Sequence, residues 1–573
     1  MKTNTVKVLG LAFSASVIVA CNPLGKMVKK ASTVTYDVSP NPLEMHGDTV
    51  NVNVSGKYPA KYFHKKALVD ITPVLTLSDG STKELKVVSL RGEATEGEGN
   101  VVKFSGGSFS LKERIPYDKS METAKLAVKI TGKYKTKTKD FPNVDLATGT
   151  IVTPLLVQSS EKPIAAKDKF TKTEKVTSQA DIHYLINSSQ VQSKELKQDD
   201  IKAMSSFIEK GAKSGLKFNG VTVSAYASPD GEISRNENLA TDRAKSGSSE
   251  VASFFKKAKI EAAKGAGFYT NTGKGEDWDG FKTMMKSSSI ADKDLIIRIL
   301  EMYSDLDKRE QEIKALAKTY LEVADQILPK LRRAQITINA EKLSKSDDVL
   351  KQLSVSNPDS LREEELLYAA TLTEDLNQKL AIYKAMSKKY PSDFRGFNNA
   401  GYVLILQNKI SEAKTELTKA SELAKDNATV KNNLGVVARL MGDRQKAWEL
   451  YNAALSAGNE VSRNIGILNI LSGDYSAAVS NLSGSNSFNE ALANLLNGNP
   501  DEAMKVLDAS SDKDSAWGYY LKAICGARKK SIDILTANLQ SAISKDASLK
   551  AKAASDAEFN SYKEDPKFKA LVQ

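Results

Sequence analysis

Five residues with hydrogen-bonding or charged side chains cluster around one turn of the sequence: Tyr226, Ser228, Asp230, Asn236 and Arg243. Their chemistry suits ligand binding, because a guanidinium can hold a carboxylate through paired hydrogen bonds and a carboxylate can hold an amine. A structural role is equally open to all five. Asn236 can cap a helix, Arg243 can pair with a nearby acid, and Tyr226 can fill the space between a strand and a helix.

The rest of the sequence lacks the residue spacing of a catalytic or metal site. The histidines are His46, His64 and His183, and they fall in two different predicted domains. There is no Glu-x-x-His or Cys-x-x-Cys spacing for a metal, no Gly-x-Ser-x-Gly elbow and no phosphate-binding loop. We therefore expect no catalytic residue, no metal and no cofactor, and a protein that is not an enzyme.

A strand, a turn and a helix must position the five residues. The alternation of apolar and polar residues over 221–225 predicts a strand. The Ser-Pro-Asp-Gly sequence at 228–231 predicts a turn. A helix is predicted to begin near Asn236 and to run to Lys257.

This strand, turn and helix resemble the core of the OmpA-like domain, which many outer-membrane proteins use to bind peptidoglycan. The helix of that family carries the pattern Asn-x-x-Leu-Ser-x-x-Arg-Ala, and Asn236, Leu239, Arg243 and Ala244 match it. The family's strand ends in Gly-x-x-Asp, and Ser228 occupies the position of that Asp. The ligand that the resemblance implies is a diamino acid of the cell-wall peptide, whose carboxylate the Arg would hold.

The free amine of that ligand needs an anion, which the family's Asp supplies. Asp230 lies two residues beyond Ser228 and would supply the anion if the turn bends inward. The resemblance therefore implies an altered peptidoglycan-like pocket formed by Tyr226, Ser228, Asp230, Asn236 and Arg243.

The resemblance extends over residues 179–342. The first strand is predicted at 182–186, the sequence at 273–277 is similar to the family's Gly-Tyr-Gly-Glu, and 331–338 is similar to its closing strand. The helical pattern over 278–328 predicts a helical insert. With its Ser-Pro-Asp-Gly turn and the Gly-Glu-Asp-Trp sequence at 275–278, the whole block resembles OmpA-like proteins of Bacteroidota. We expect an α/β OmpA-like domain with a helical insert.

Residues 1–21 resemble a bacterial lipoprotein signal peptide. Lys2 and Lys7 flank the start of a short apolar run at 8–20, and Ile-Val-Ala-Cys at 18–21 is similar to a lipobox. The resemblance implies cleavage before Cys21 and acylation of its thiol, which would anchor the chain to the outer membrane. The alternative is an ordinary secretory signal with a chance cysteine. No Asp and no acidic cluster follows Cys21, which favours the periplasmic face of the outer membrane.

Residues 35–158 have the period-two pattern of β-strands. Strand-like runs occur at 49–55, 67–72, 84–90, 101–104 and 126–134. Several short strands at such spacing predict an antiparallel, immunoglobulin-like β-sandwich. The polar, lysine-rich stretch at 159–178 is predicted to be a connector.

Residues 350–573 are helical and repetitive. A small residue recurs with an alanine twelve positions later, in the pairs Ala369/Ala381, Gly401/Ala413, Gly435/Ala447, Gly466/Ala478, Ala491/Ala503 and Cys525/Ala537. The first three steps between pairs, of 32, 34 and 31 residues, are close to the 34-residue tetratricopeptide period. The resemblance implies an all-α solenoid of tetratricopeptide type, whose concave face binds peptides or partner proteins.

The charge of the chain is spread over its length. The formal net charge is +12, from 82 basic and 70 acidic residues, and the sequence lacks the basic tract typical of a nucleic-acid-binding protein. The resemblances together imply an outer-membrane-anchored periplasmic lipoprotein that acts as a scaffold or adaptor in an envelope assembly or secretion complex. Its expected partners are membrane lipid, through Cys21, and other envelope proteins, through the repeats. The alternatives are a peptidoglycan-binding outer-membrane anchor and a surface-exposed accessory lipoprotein.

Overall fold

The computed structural model describes residues 23–573, so Cys21 and the predicted signal peptide lie outside the described residues. The described chain divides into two compact units. The first unit comprises the residues up to Lys167 together with Asp375–Gln573, and the second unit comprises Asp168–Glu374. None of the helices in this described part combines the length and the apolar character needed to cross a membrane.

Over residues 23–151, the first unit consists of a short helix and two β-sheets. The helix is α1 (Pro23–Lys29), and the strands are β1 (Thr35–His46), β2 (Thr49–Tyr58), β3 (Leu68–Thr76), β4 (Thr82–Glu84), β5 (Val88–Gly92), β6 (Asn100–Val102), β7 (Gly107–Pro116), β8 (Lys125–Tyr134), β9 (Lys137–Asp140), β10 (Val144–Thr148) and β11 (Thr150–Ile151). One sheet has the order β11-β1-β2-β7, and the other has the order β10-β8-β3-β5-β6, with β4 beside β3 and β9 beside β8. Alternate residues of β2, such as Val50, Val52 and Val54, are fully buried and form one core with apolar residues of the second sheet.

The predicted β-rich domain is confirmed, but its sheets are mixed rather than wholly antiparallel. β11 pairs with β1 in parallel and β6 pairs with β5 in parallel, whereas the longer central strands pair antiparallel. A tight hairpin forces antiparallel pairing, but neither parallel pair is joined by one: β1 and β11 are separated by most of the domain, and β5 and β6 by residues 93–99.

The second unit contains an α/β domain followed by two further helices. Its elements are β12 (Thr173–His183), α2 (Asp199–Ser214), β13 (Lys217–Ala227), α3 (Ile233–Lys257), β14 (Tyr269–Glu276), α4 (Trp278–Ser287), α5 (Lys293–Met302), α6 (Leu306–Lys314), α7 (Ala317–Gln326), α8 (Leu328–Leu331), β15 (Arg333–Leu343), α9 (Asp347–Ser356) and α10 (Glu363–Thr371). The sheet order is β12-β15-β13-β14, with β13 and β14 parallel and the other neighbours antiparallel. The strand, turn and helix that carry the predicted pocket are β13, the following turn and α3.

The first strand of this domain lies earlier than the sequence pattern predicts. β12 begins at Thr173, inside the stretch predicted to be a connector, and pairs with β15 along its whole length. Its first six residues are polar or only partly buried, so they lack the apolar alternation by which a strand is recognised in a sequence. Main-chain hydrogen bonds to β15, rather than side-chain burial, define this part of the strand.

The C-terminal part of the first unit is an array of helix pairs. Its helices are α11 (Leu376–Lys389), α12 (Phe394–Leu406), α13 (Ile410–Leu423), α14 (Ala428–Leu440), α15 (Arg444–Asn452), α16 (Asn459–Ser472), α17 (Tyr475–Leu482), α18 (Phe488–Leu496), α19 (Pro500–Ala509), α20 (Ala516–Arg528), α21 (Ile532–Lys545), α22 (Ser548–Ser555) and α23 (Pro566–Val572). α12 packs on α13, α14 on α15, α16 on α17, α18 on α19 and α20 on α21. The predicted helical repeats are therefore confirmed.

Small residues let the two helices of a pair approach each other closely. An added Cβ would clash at Gly401 (2.5 Å from Leu417), Gly435 (2.6 Å from Tyr451) and Gly466 (2.5 Å from Leu482). The alanines twelve positions later in these three pairs are fully buried, as the repeat pattern predicts.

The last predicted pair, Cys525 and Ala537, is out of register by two residues. Ala537 is exposed, whereas Ala523 and Leu535 are fully buried at the equivalent positions. Ala523 and Leu535 keep the twelve-residue spacing of the other pairs, and an added Cβ at Gly526 would lie only 2.5 Å from the backbone nitrogen of Leu535. The backbone of α21 therefore lies close to α20 at Leu535, whereas Ala537, two positions later, is on the exposed face of the helix.

Candidate functional site: an asparagine ladder along the repeats

Four buried asparagines recur at one position of the repeats. Asn399, Asn433, Asn464 and Asn489 lie on α12, α14, α16 and α18, each two residues before the small residue of its helix pair. None of the four is more than 1% exposed. A buried amide needs hydrogen-bond partners, because each unpaired donor or acceptor costs about 1–3 kcal/mol. The partners here are main-chain atoms of residues 158–166.

Each of these asparagines binds one residue of the 158–166 segment twice. Its Oδ1 accepts from the backbone N–H at 2.6–2.8 Å. Its Nδ2 donates to the carbonyl oxygen of the same residue at 2.7–3.1 Å. The pairs are Asn399 with Ala166, Asn433 with Ile164, Asn464 with Lys162 and Asn489 with Gln158. We call this arrangement the asparagine ladder and each asparagine with its bound residue a rung.

The segment is extended and crosses the repeats in the reverse of their chain order. Lys162, Ile164 and Ala166 are alternate residues, so their N–H and C=O groups face the same side, as in a β-strand. The last step, from Lys162 to Gln158, spans four residues. Within it, the hydroxyl of Ser160 accepts a hydrogen bond from Asn489 Nδ2 at 3.0 Å. The side-chain amides thus take the place of a neighbouring strand.

Two further asparagines connect the rungs. Asn398 and Asn432 are fully buried, and each precedes a rung asparagine by one residue. Asn398 Nδ2 donates to the Ile164 carbonyl at 3.2 Å, and Asn432 Nδ2 donates to the Lys162 carbonyl at 3.0 Å. The contacts between amides of successive repeats are Asn433 Nδ2 to Asn398 Oδ1 at 3.0 Å and Asn464 Nδ2 to Asn432 Oδ1 at 2.9 Å. A continuous amide network therefore joins three repeats beneath the segment.

One side chain of the segment is bound through its charge. The side chain of Glu161 is 3% exposed, and its Oε1 lies 2.7 Å from Nε of Arg439. The N–H of that nitrogen does not point at the oxygen, so the contact is an ion pair rather than a directed hydrogen bond. Arg439 Nη1 also donates to the hydroxyl of Ser159 at 3.0 Å. Burial raises the pKa of Glu161, and the charge of Arg439 opposes this rise.

Ile164 supplies the apolar contact of the segment. Its partly buried side chain packs against the core of the repeats, which includes Leu404 and Val436. The side chain of Lys162, by contrast, is exposed although its main chain forms a rung. The groove therefore holds the segment by its main chain, one acid and one aliphatic side chain.

Residues before the ladder attach the sandwich to the repeats within the first unit. Thr153 donates a hydrogen bond to the carboxylate of Glu558, and Arg528 Nη2 lies 2.6 Å from the same carboxylate. At a second contact the turn between β1 and β2 meets the turn between α16 and α17. Gly47 has a φ of +60°, and an added Cβ there would lie 2.7 Å from the Ser472 carbonyl oxygen. Only glycine fits both that backbone conformation and that approach.

In the second unit, main-chain carbonyls surround Arg243 of the predicted pocket. Its guanidinium donates to the carbonyls of Ser188 at 2.9 Å, Tyr226 at 3.0 Å and Leu185 at 3.1 Å, and the residue is 1% exposed. Burial lowers the pKa of Arg243 to about 10, and the charge of Arg332 adds to this fall. A ligand carboxylate would have to displace contacts to two loop carbonyls, those of Leu185 and Ser188, and to the Tyr226 carbonyl of β13.

Ser228 and Asp230 are brought together by a residue that the sequence did not single out. Arg332 Nε donates to the Ser228 hydroxyl at 2.9 Å, and Arg332 Nη2 donates to Asp230 at 3.1 Å. The Ser228 hydroxyl in turn donates to Asp230. Asp230 therefore faces a cation of the chain itself at the place where the resemblance implied a ligand amine.

Asn236 and Tyr226 also contact neighbouring elements. α3 begins at Ile233, so Asn236 lies inside its first turn rather than at the cap, and its Nδ2 donates to Glu276 at 2.8 Å. The guanidinium of Arg333 lies 5.3 Å from the centre of the Tyr226 ring. The five predicted residues do lie around one turn, and the hydrogen bonds, ion pairs and ring contacts described above join each of them to other residues of the chain.

The other reactive side chains of the described residues give no further site. Cys525 is fully buried, and burial raises the pKa of its thiol to about 12, which keeps it protonated and unreactive near neutral pH. Within residues 23–573, no three side chains of His, Cys, Asp or Glu are grouped so that they could hold a metal ion. The lipidation predicted at Cys21 lies outside the described residues.

A simple sequence pattern, absent from the motifs described above, marks the ladder. Asn-x-Gly or Asn-x-Ala recurs at 399–401, 433–435, 464–466 and 489–491, in step with the repeats. Asparagine is unfavourable inside helices, so its recurrence at one buried position indicates a specific role. The bound segment gives no comparable signal, because it contributes mainly its backbone.

Comparisons with known proteins add little to this geometry. No protein-family model matches the chain, and no curated protein matches it. Solved structures that resemble it include the type IV pilus biogenesis factor PilW (14% identity, 40% of this chain and 100% of that chain, TM-score 0.27) and a tetratricopeptide repeat protein from Parabacteroides merdae (12%, 46% and 98%, 0.27). Another is YrrB, a tetratricopeptide protein with an unusual peptide-binding site (19%, 36% and 99%, 0.21). TM-scores this low support no conclusion about the groove of this chain.

Proposed function

We propose that this chain is a non-catalytic scaffold of the bacterial envelope, which holds partner proteins through its tetratricopeptide-like repeats. In this proposal an acylated Cys21 tethers it to the outer membrane, and the folded units face the periplasm. The observation that carries the proposal is the asparagine ladder, because it is a site built to bind polypeptide.

The ladder suits a polypeptide rather than a small molecule. Its rungs on α12, α14 and α16 bind alternate residues of an extended chain, each through both main-chain hydrogen-bonding groups. A small molecule would satisfy one rung and leave the buried amides of the others unpaired. The match between the spacing of the repeats and the period of an extended chain supports protein binding as the activity of this array.

The ladder also supports a scaffold because it makes the array rigid. The segment spans four repeats, and the buried amides of Asn398 and Asn432 connect neighbouring repeats beneath it. Bending the array would break several of these hydrogen bonds together. A preorganised surface loses less conformational entropy when a partner binds, which favours stable assemblies.

The envelope location is supported by the sequence at the amino terminus. The apolar run at 8–20 ends at Cys21 in a lipobox-like pattern, and each buried methylene of an acyl chain contributes about 0.8 kcal/mol to membrane attachment. The alternative of a peptidoglycan-binding anchor has less support. The guanidinium of Arg243 is already bonded to three main-chain carbonyls, and Asp230 is paired with Arg332.

Affinity purification from the native host tests this function. The tagged chain, produced at its natural level and extracted in mild detergent, should recover integral outer-membrane proteins in constant proportion, as identified by mass spectrometry. A Cys21→Ser variant is the matched control, since it should leave the membrane fraction while its folded units are unchanged. Recovery of the wild-type lipoprotein alone from the membrane fraction would contradict the proposal.

A further inference from the structure

We propose that residues 158–166 act as a tethered competitor for the groove that the asparagine ladder lines. When these residues are displaced, the groove binds an extended segment of a partner, with a glutamate three residues before an aliphatic residue. The inference rests on the proposed function, since it names the kind of polypeptide that the repeats bind. Its occupant is a segment of a partner protein with the chemistry of the chain's own segment.

The groove tolerates different sequences at most positions. At the rungs it contacts N–H and C=O groups, which every residue except proline offers in the same way. The Lys162 side chain is exposed, so the corresponding residue of a partner segment is unrestricted. Proline is excluded at a rung, because it has no N–H for the asparagine Oδ1.

Two positions of the groove restrict the side chain of the occupant. Arg439 lies 2.7 Å from the buried carboxylate of Glu161, so this position needs an acid to balance the cation. Burial raises the pKa of Tyr451, and the negative charge of Glu161 raises it further, because this fully buried ring lies near the same carboxylate. Three residues later, Ile164 packs on the repeat core, so this position needs an aliphatic side chain. The required pattern is therefore Glu-x-x-aliphatic in an extended chain.

The chain's own segment has the advantage of attachment. Its amino-terminal side is held by Leu156 and Val157, which pack against the repeat core that includes Phe488. A segment held next to its site behaves as a ligand at an effective concentration on the order of millimolar for a short link. A free segment with the same contacts therefore binds only when the tethered segment is weakened or displaced.

Peptide binding by the purified full chain tests the proposal. The probe is a fluorescent peptide with the sequence of residues 157–167, and binding is followed by fluorescence anisotropy. The wild-type chain should bind it weakly. A Lys162→Pro/Ile164→Pro variant removes two rung N–H donors from the tethered segment and should bind the probe at least about tenfold more tightly.

Two controls make the result specific to the ladder. A probe with lysine in place of the glutamate should bind the released variant at least about tenfold more weakly, because it places a second cation beside Arg439. Adding Asn433→Ala to the released variant should weaken binding of the original probe to a similar degree. Helical circular dichroism confirms that each variant remains folded.

Hydrogen exchange of the 158–166 segment, measured on the same variants, completes the test. Release of the segment without any probe binding would show that it is only a structural strap, and would overturn the proposal. Equal probe binding by wild type and released variant would exclude competition. A segment that stays protected in the double-proline variant, and also in a Glu161→Lys variant, would show that the named contacts do not hold it. None of these results depends on which proteins co-purify from cells.

Discussion

The rung asparagine is the residue on which the groove depends. Asparagine holds a donor group and an acceptor atom in one plane, which match the C=O and N–H of an extended residue, and its second N–H remains free to bond to the next repeat. Aspartate in the same place would accept from the N–H but would turn its second oxygen towards the carbonyl. The small residue two positions later lets the paired helix pack closely, so one short motif serves both binding and packing.

Asn433→Ala should destabilise the helical array. The change leaves the N–H of Ile164 without its partner and removes a donor from the Ile164 carbonyl, at an expected cost of about 1–3 kcal/mol. Urea unfolding followed by far-ultraviolet circular dichroism measures the loss. Asn452→Ala is the matched control, since Asn452 is exposed and bonds to a carbonyl of its own helix. Equal midpoints for the two variants would contradict the role of Asn433.

Glu161 should make the stability of the array depend on pH. Its pKa is raised in the folded chain by burial, so above about pH 4.5, the ordinary value, the folded state binds more protons than the unfolded state. The stability contributed at this position therefore falls as pH rises from the ordinary pKa through the raised one. The free energy of unfolding of the wild type, minus that of Glu161→Gln, should therefore decrease as the pH rises through this range.

Thermal unfolding of both proteins at a series of pH values measures this difference. Glu98→Gln, on an exposed loop, controls for the loss of one negative charge. A difference between wild type and Glu161→Gln that stays constant or increases with pH would contradict burial of the Glu161 carboxylate.

The predicted pocket residues illustrate what a sequence motif can and cannot establish. Spacing alone predicted that Ser228, Asp230 and Arg243 would lie around one turn, and they do. Spacing could not reveal that Arg332, about a hundred positions later, would supply the partner of Asp230. Contacts made by residues distant in sequence depend on the complete fold, and one sequence carries no direct signal of them.

At the scale of elements, small residues set the register of the helix pairs. The pairs based on Gly401, Gly435 and Gly466 were predictable because each has a buried alanine twelve positions later. The pair at α20 and α21 was placed two residues off because Cys525 was taken as its small residue. The small residue at the equivalent position is Ala523, and the buried Leu535 follows it by twelve positions.

Gly435→Ala should destabilise the α14–α15 pair. The added methyl would lie 2.6 Å from the ring of Tyr451, and such overpacking costs about 1–3 kcal/mol. The thermal unfolding midpoint should fall accordingly. Gln445→Ala, on the exposed face of α15, provides a helix substitution without the steric clash. An unchanged midpoint for Gly435→Ala would show that the two helices are not in close contact there.

The connector was the element least accessible to prediction. Its polar, lysine-rich composition is typical of a linker, yet one part forms three of the four rungs and another part begins β12. Both parts are held mainly by main-chain hydrogen bonds, which composition does not report. Hydrophobic periodicity identifies elements that bury side chains, and these segments bury few.

At the scale of the whole chain, the sequence is organised so that early and late residues complete one unit. Residues up to Lys167 and residues from Asp375 onward belong together, while Asp168–Glu374 forms a unit of its own. The segment bound by the ladder belongs to the first unit, and its amino-terminal side leads back to Thr153 and the sandwich. Sandwich and repeats therefore support each other within one unit, as a scaffold requires.

Hydrogen–deuterium exchange of residues 158–166 tests the central claim most directly. If the ladder holds this segment, the amides of the rung residues Gln158, Lys162, Ile164 and Ala166 should exchange as slowly as those of the neighbouring helices, although the segment belongs to no helix or sheet. Asn433→Ala combined with Asn464→Ala should accelerate exchange in the segment by at least about tenfold, and Asn452→Ala should not. Exchange of the wild-type segment at the rate of an unstructured peptide would contradict the account.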